Sequence, residues 1–141
     1  MSPLDEQLIN RKAKLIEADL GMLQKYTRQS EETYIHSEEA QLSVERLLER
    51  MIGRLIDINY HVLKEKYSKL PIDYFDSFLE VAKQKVVKED LALEVAKSTG
   101  LRNILAHEYD EIDNRKVYQA IKTALTQVPQ YLQSVLTSLS S

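Results

Sequence analysis

The sequence predicts an all-α fold, an up-and-down bundle of four or five helices with a long second helix and a dimer interface. Apolar residues recur at spacings of three and four along most of the chain, and no segment shows the strict alternation of a strand. Only three glycines and three prolines occur among 141 residues, which is typical of long helices. We therefore expect residues 1–141 to form a single helical domain, with residues 138–141 frayed.

The first helix is predicted to start at Ser2 and Pro3, because serine is a favourable cap and proline is favoured at the first helical position. It is expected to end near Thr27. The polar stretch 29–36 then predicts a turn or a loosely formed helix. The residues expected on the apolar side of the first helix are Leu8, Leu15, Leu20, Leu23 and Tyr26.

The second helix is predicted over residues 37–67 by a broad apolar stripe. Gly53 lies inside it, and we interpret this glycine as a place where another backbone approaches. At about 1.5 Å per residue the helix would be about 45 Å long, which is more than a domain of this size requires. This excess predicts contact with a partner, most simply in a two-fold homodimer. The stripe comprises Val44, Leu47, Leu48, Met51, Leu55, Ile58, Val62 and Leu63.

Three further helices complete the predicted bundle. Asp73 is expected to cap the third helix. The fourth is predicted over residues 89–107 with an interruption at Gly100, and the fifth begins near Asn114 and is expected to kink at Pro129. The fourth helix is expected to turn Leu91, Val95, Leu101, Ile104 and Leu105 inward. The apolar residues carried by the third helix are Tyr74, Phe75, Phe78, Leu79 and Ala82, and those carried by the fifth are Val117, Ile121, Ala124, Leu125, Val128, Leu132, Val135 and Leu136.

Composition excludes several classes of function. The chain has no cysteine, so disulfides, thiolate catalysis and cysteine-ligated zinc are excluded. No apolar run approaches the roughly 20 residues of a membrane span, and the first residues lack the pattern of a secretion signal, so we expect a cytoplasmic protein. The formal net charge of −3 is unlike that of a typical nucleic-acid-binding protein. Any nucleic acid must therefore be held by a local basic patch.

The most informative segment is 101–110, at the end of the predicted fourth helix. It places an arginine, an amide, an imidazole and a phenol within eight residues: Arg102, Asn103, His107 and Tyr109. On an ideal helix with about 100° per residue, Arg102 and Tyr109 lie on one edge and Asn103 and His107 on the neighbouring edge. These groups would straddle one strip of surface while nearby aliphatic residues anchor the helix.

This cluster holds what RNA phosphodiester cleavage requires. An imidazole titrates near neutral pH, so His107 can transfer protons, and the guanidinium of Arg102 can clamp the phosphoryl oxygens. Asn103 can orient His107 or donate to the phosphate, and Tyr109 can stack on a base. No metal is suggested, because His36, His61 and His107 do not share ligand spacing. One chain supplies a single imidazole where cleavage needs an acid and a base, which is a second reason to expect a dimer.

Other interpretations of the same residues remain open. A histidine near a helix end often caps carbonyls, and a nearby tyrosine often packs over that end. The cluster would then belong to a structural bundle without a site, or to a non-catalytic interaction module. The basic residues Arg11, Lys12 and Lys14, and Lys83, Lys85 and Lys88, are interpreted as solvent-facing.

The segment from Arg102 to Tyr109 resembles the R-x4-H-x-Y signature of HepT-like toxins, within the HEPN superfamily of helical ribonucleases. Its flanks are also similar to that family, with Gly100-Leu101 before the arginine and Asp110-Glu111-Ile112-Asp113 after the tyrosine. The second helix is similar as well, in residues 44–48 and 56–61. The resemblance covers residues 5 to 136.

The resemblance implies a HEPN-like fold and a metal-independent endoribonuclease toxin of a type VII toxin–antitoxin pair, with no cofactor. It implies a homodimer in which paired motifs line a cleft, with Arg102 and His107 as catalytic pair and Asn103 as the accompanying polar residue. It further implies a cognate MntA-like nucleotidyltransferase antitoxin that transfers AMP from ATP to Tyr109. Nucleotides attached beside the cleft would add bulk and negative charge, which repels RNA phosphate. The alternative is a non-catalytic helical interaction module that binds such a nucleotidyltransferase or a nucleotide.

Overall fold

The computed structural model describes residues 4–108, 110 and 112–140, and the helices follow in nearly the predicted order. The elements are α1 (Glu6–Gln24), extended by a 3-10 turn (Lys25–Arg28), α2 (Glu31–Ile35), α3 (Glu38–Tyr67), α4 (Tyr74–Lys83), α5 (Glu89–Ala96), α6 (Ser98–His107) and α7 (Asn114–Leu139). No strand occurs among these described residues, in agreement with the predicted all-α class.

Polar side chains cap most of these helices at their N-termini, as short oxygen-bearing residues are expected to do. Ser37 caps α3 and Asp73 caps α4, which confirms both predicted starts. The prediction for α1 is wrong. This helix begins at Glu6, and its cap is Asp5, whose carboxylate accepts a hydrogen bond from the Leu8 amide at 3.0 Å. Ser2 and Pro3 lie outside the described residues.

The long helix α3 is the centre of the molecule, and α1, α2, α4, α6 and α7 all pack on it. Every residue of its predicted stripe is buried. In α1 the predicted apolar side is partly wrong, because Leu15 is 42% exposed. The buried face instead comprises Ile9, Ala13, Ile16, Asp19, Leu20 and Leu23. This face includes one carboxylate, that of Asp19.

The predicted fourth helix is two helices, α5 and α6, that meet at a turn on Lys97. Two hydroxyl side chains stabilise the break, since Ser98 Oγ donates to the Val95 carbonyl and Thr99 Oγ1 donates to the Ala96 carbonyl at 2.9 Å. Such bonds satisfy carbonyls at the end of α5 that a continuous helix would pair with amides. Gly100 does not interrupt the helix, as it lies inside α6.

Helix α7 returns along the bundle to Leu139 and carries Pro129 within it. Its cap is Asp113, which accepts from the amides of Arg115 and Lys116. Near its other end, Lys66 Nζ of α3 donates to the Ser138 carbonyl at 2.9 Å. A bilayer crossing demands a length and apolar character that none of the described helices combines.

A buried polar network joins α3, α4 and α7. The Asn59 amide donates to Ser77 Oγ at 3.1 Å, and the Tyr131 hydroxyl donates to the Asn59 amide oxygen. Ser77 Oγ in turn donates to the Tyr74 carbonyl at 2.7 Å. Asn59, Ser77 and Tyr131 are all fully buried. Since unpaired buried polar groups are unfavourable, these bonds fix how α4 and α7 sit on α3.

We predict that Asn59→Ala lowers the free energy of unfolding by about 2–3 kcal/mol, because it leaves the buried Tyr131 hydroxyl without an acceptor. Denaturant unfolding followed by circular dichroism measures this change. Asn10→Ala, an exposed position on α1, is the matched control and should stay within about 0.5 kcal/mol of the parent. Equal stability of the two variants would contradict the role given to the network.

Candidate functional site

Helix α6 presents the motif residues on two different sides. Arg102 is half-buried on the side that faces α3 and α4, whereas Asn103 and His107 are exposed. Leu105 is buried and anchors the helix to the core. The predicted aliphatic anchor is therefore confirmed, whereas the placement of Arg102, Asn103 and His107 along one strip of surface stays a prediction. Tyr109 lies outside the described residues.

The Arg102 side chain is held against two other helices. Its guanidinium carbon lies 5.5 Å from the centroid of the Tyr74 ring, a cation–π distance. Its Nε is buried and has no hydrogen-bond partner among the described residues. A Cβ placed on Gly53 would lie 3.7 Å from that Nε. At Gly53 the close neighbour is thus the side chain of Arg102, and not another backbone as the sequence suggested.

The His107 side chain has no polar partner among the residues that the structure describes. His107 is the last residue of α6, and its exposed ring makes no hydrogen bond or ion pair with any described residue. The helix end is closed by backbone, since the Glu108 amide donates to the Ile104 carbonyl at 2.9 Å. The interpretation of His107 as a buried histidine bonded to a carbonyl of its own chain is therefore not supported.

Arg102 opens onto a polar groove of about 290 Å³, which we call the basic groove. It lies where α1, α3, α4 and α6 meet. Its lining consists of Lys12, Arg50, Gly53, Arg54, Ile56, Asp57, Tyr74 and Arg102. Four cationic side chains and one carboxylate thus line the groove, which makes it a local basic patch on a chain whose formal net charge is −3.

A buried carboxylate lies behind the basic groove. Asp19 is 1% exposed and accepts hydrogen bonds from Arg50 Nη2 at 2.7 Å and from Arg54 Nη1 at 2.8 Å. Arg50 Nε also bonds both carboxylate oxygens of Asp19. These hydrogen bonds raise the pKa of the Arg50 guanidinium, which stays charged throughout the accessible pH range. The carboxylate therefore fixes two arginines side by side.

A second concave surface lies on the other side of α6, and it is mainly aliphatic. This cavity of about 450 Å³ is formed by α3, α5, α6 and α7. Leu101 and Ile104 of α6 line it, but neither Arg102 nor His107 does. The polar chemistry of α6 therefore belongs with the basic groove and the exposed helix end.

The other histidine singled out on α3 has a structural partner. His61 Nε2 accepts a hydrogen bond from the Asp5 amide at 2.9 Å and so ties the start of α1 to α3. Asp57, one turn earlier, pairs with Lys12 at 3.1 Å. No group of three or more histidine, aspartate or glutamate residues among residues 4–108, 110 and 112–140 could hold a metal ion.

Sequence reasoning missed Lys12, Arg50, Arg54 and Tyr74 as neighbours of Arg102. Lys12 was interpreted as solvent-facing, yet its side chain is only 25% exposed and it lines the basic groove. One signal was available. Asp19 lies on the apolar side of α1, and a carboxylate at such a position requires a cationic partner.

Comparison with known proteins identifies the family. The model described as ribonuclease HepT-like matches residues 16–135. The chain belongs to this family. It is 38% identical over 135 residues to the tRNA nuclease HepT of Aphanizomenon flos-aquae (strain 2012/KM1/D3), which covers 96% of this chain and 92% of that protein. It is 28% identical over 88 residues to the mRNA nuclease HepT of Shewanella oneidensis, which covers 62% of this chain and 66% of that protein.

The fold is shared with solved HEPN structures. A tri-AMPylated Shewanella oneidensis HEPN toxin in complex with its MNT antitoxin superposes with a TM-score of 0.86 at 23% identity, and the match covers 94% of this chain and 99% of the toxin chain. This likeness confirms the predicted HEPN-like fold. Membership of the HepT-like family confirms the predicted enzyme class, an endoribonuclease.

We predict that Tyr74→Ala lowers kcat/KM for cleavage of single-stranded RNA about tenfold, because Arg102 loses the ring that holds its guanidinium in place. Tyr74→Phe keeps the ring and should stay within about twofold of the parent. Steady-state cleavage assays measure both, with thermal unfolding to verify that each variant is folded. Equal losses in the two variants would assign the effect to the hydroxyl and contradict the ring's role.

Proposed function

We propose that this HepT-like protein is the ribonuclease toxin of a toxin–antitoxin pair, which cleaves RNA without a metal at a cleft between two protomers. One observation carries the proposal. A single helix, α6, presents an arginine fixed against Tyr74 and, one turn further on, an exposed histidine with no partner among the described residues. The fixed cation and the free imidazole are the two groups that phosphodiester cleavage requires.

In the proposed reaction the 2′-hydroxyl of RNA attacks the adjacent phosphorus. His107 takes the proton from that hydroxyl, while Arg102 stabilises the negative charge that develops on the phosphoryl oxygens. The bond from phosphorus to the 5′-oxygen breaks, and that oxygen takes up a proton. The products are a 2′,3′-cyclic phosphate and a free 5′-hydroxyl. Asn103 orients His107 or donates to the phosphate.

A homodimer would supply the second imidazole. Each chain carries one His107, and the reaction needs both a proton acceptor and a proton donor. A surface suitable for a partner lies beside the basic groove, where the segment 70–75 leaves four large apolar side chains exposed. Leu70 is 83% and Ile72 is 90% exposed, and Tyr74 and Phe75 are exposed as well. Contiguous exposed apolar side chains of this kind commonly mark a protein interface.

The relatives suggest the substrate and the regulator. The more similar of the two nucleases is named for tRNA, so we propose tRNA as the first substrate to test. The Shewanella oneidensis toxin, which shares the fold, is AMPylated and bound to an MNT antitoxin. We propose the same regulation here, with a cognate MntA-like nucleotidyltransferase attaching AMP to Tyr109. The added phosphates would repel RNA from the cleft.

We predict that Arg102→Ala and His107→Ala each lower kcat for RNA cleavage at least 100-fold, because each removes a group that acts in the transition state. Both variants should stay dimeric and folded, since His107 is exposed and Arg102 is only half-buried. His36→Ala is the matched control, because His36 is an exposed histidine outside α6. Gel assays with and without EDTA measure cleavage, and size-exclusion chromatography measures the dimer.

Retention of cleavage in both α6 variants, or dependence of the parent enzyme on a divalent metal, would contradict the proposed mechanism. The alternative of a non-catalytic module is separated by His107→Gln. Docking should tolerate this neutral, hydrogen-bonding replacement, whereas proton transfer should not.

We predict that incubation with the cognate nucleotidyltransferase and ATP increases the intact mass by whole AMP units and abolishes RNA cleavage. Peptide mapping should locate the modification at Tyr109, and Tyr109→Phe should block both effects. Tyr67→Phe, a half-buried tyrosine of α3, is the control and should be modified like the parent. Modification at another residue, or full activity after modification, would overturn the proposed regulation.

A further inference from the structure

The basic groove extends well beyond Arg102. Along α3, Arg54 lies four residues after Arg50, and Asp57 lies four residues after Gly53, so these positions share one face of the helix. Gly53 has no side chain and keeps the floor of this face open beside Arg102. The two arginines and the motif arginine therefore line one continuous groove.

The arginines of α3 are held in place before any ligand arrives. Arg50 uses Nε and Nη2 to bond Asp19, and Arg54 uses Nη1. Arg50 Nη1, Arg54 Nε and Arg54 Nη2 donate to no described residue. Binding a ligand through these free donors requires little further loss of side-chain entropy, because the buried carboxylate has already fixed both guanidinium groups.

Lys12 adds a third cation from α1. Its ammonium pairs with Asp57 at 3.1 Å, and Asp57 is 58% exposed. An ion pair of this exposure contributes little free energy, so the ammonium can turn to a stronger anion at small cost. Excess positive charge, fixed guanidinium donors and the Tyr74 ring in one groove match a sugar-phosphate strand with bases that can stack.

We propose that Arg50, Arg54 and Lys12 form a second phosphate-binding subsite, which takes the phosphodiester next to the one at Arg102 and so directs the RNA strand along α3. This proposal rests on the proposed ribonuclease function, because it assigns these residues to the same substrate. The subsite contributes to RNA binding and leaves the chemical step to Arg102 and His107. An acidic segment of a partner protein could also meet these cations, but it would make no use of the aromatic ring.

The test compares Arg54→Gln, Lys12→Gln and the parent in cleavage of a short single-stranded RNA and of tRNA. Each variant should raise KM about tenfold and change kcat less than twofold, because the contact exists in both ground and transition states. When either substitution is added to the cleavage-deficient His107→Ala protein, its affinity for the same RNAs should fall by the same factor. The slope of log affinity against log salt concentration should become smaller by about one unit for each cation removed.

Matched controls separate the groove from net charge. Arg46→Gln removes one cation from α3 at an exposed position outside the basic groove, and Arg11→Gln does the same on α1 next to Lys12. Both controls should leave KM within about twofold of the parent. Arg54→Gln keeps the bonds of Arg50 to Asp19, and Lys12→Gln leaves Asp19 untouched, so at least one variant tests binding in a folded protein.

The Asp19→Asn variant tests whether RNA binding depends on the fixed positions of Arg50 and Arg54 or only on their positive charge. The substitution makes the basic groove more positive, so attraction without positioning would tighten RNA binding. If the carboxylate acts by fixing Arg50 and Arg54, binding should weaken at least threefold in the folded variant. Tighter binding would overturn the positioning role.

The outcomes distinguish the two proposals. If the parent cleaves RNA but Arg54→Gln and Lys12→Gln behave like Arg46→Gln and Arg11→Gln, the second subsite is wrong and the ribonuclease proposal stands. If the parent binds RNA through Arg54 without cleaving it, the subsite stands and the catalytic mechanism fails. If these variants impair only AMPylation by the nucleotidyltransferase, the groove is a protein-docking site and the subsite is overturned.

Discussion

The contact of Arg102 with Tyr74 and the Gly53 side of α3 is the interaction on which the candidate site depends. It joins α6 to α4 and α3, and it holds a guanidinium whose buried Nε has no hydrogen-bond partner within the described part of the chain. A long charged side chain in solution would sample many rotamers. Here an aromatic face and an open helix surface restrict it, so that the cation occupies one place in the basic groove.

The electrostatics of the site are local. The chain is acidic, with a formal net charge of −3, yet the basic groove gathers Lys12, Arg50, Arg54 and Arg102. Asp19 makes this concentration of positive charge possible, since a buried carboxylate between two guanidinium groups offsets their mutual repulsion. The same bonds cross from α1 to α3 and fix how the two helices pack. Structure and binding potential therefore depend on one ion-pair cluster.

The helical elements were largely predictable because their signals are local. The apolar stripe of α3 and the caps Ser37 and Asp73 act within a few residues of the positions they determine. The break at Lys97 was missed because serine and threonine hydroxyls can bond carbonyls inside or at the end of a helix, and only the packing of α5 and α6 decides which occurs. The exposure of Leu15 was missed because a leucine can lie on the buried or on the exposed side of an amphipathic helix, so its residue type alone does not show which side it occupies.

The sequence by itself determined the helix order, the family pattern from Arg102 to Tyr109 and the separation of Arg102 from His107 on one helix, because these follow from short-range periodicity and residue type. Only the tertiary structure brought Tyr74, Gly53, Arg50, Arg54 and Lys12 to Arg102. These residues come from three other helices, and their meeting depends on the antiparallel packing of α1 on α3 and on the position of α4. No local pattern encodes that packing, because burial of the combined apolar faces and of Asp19 is a property of the whole bundle.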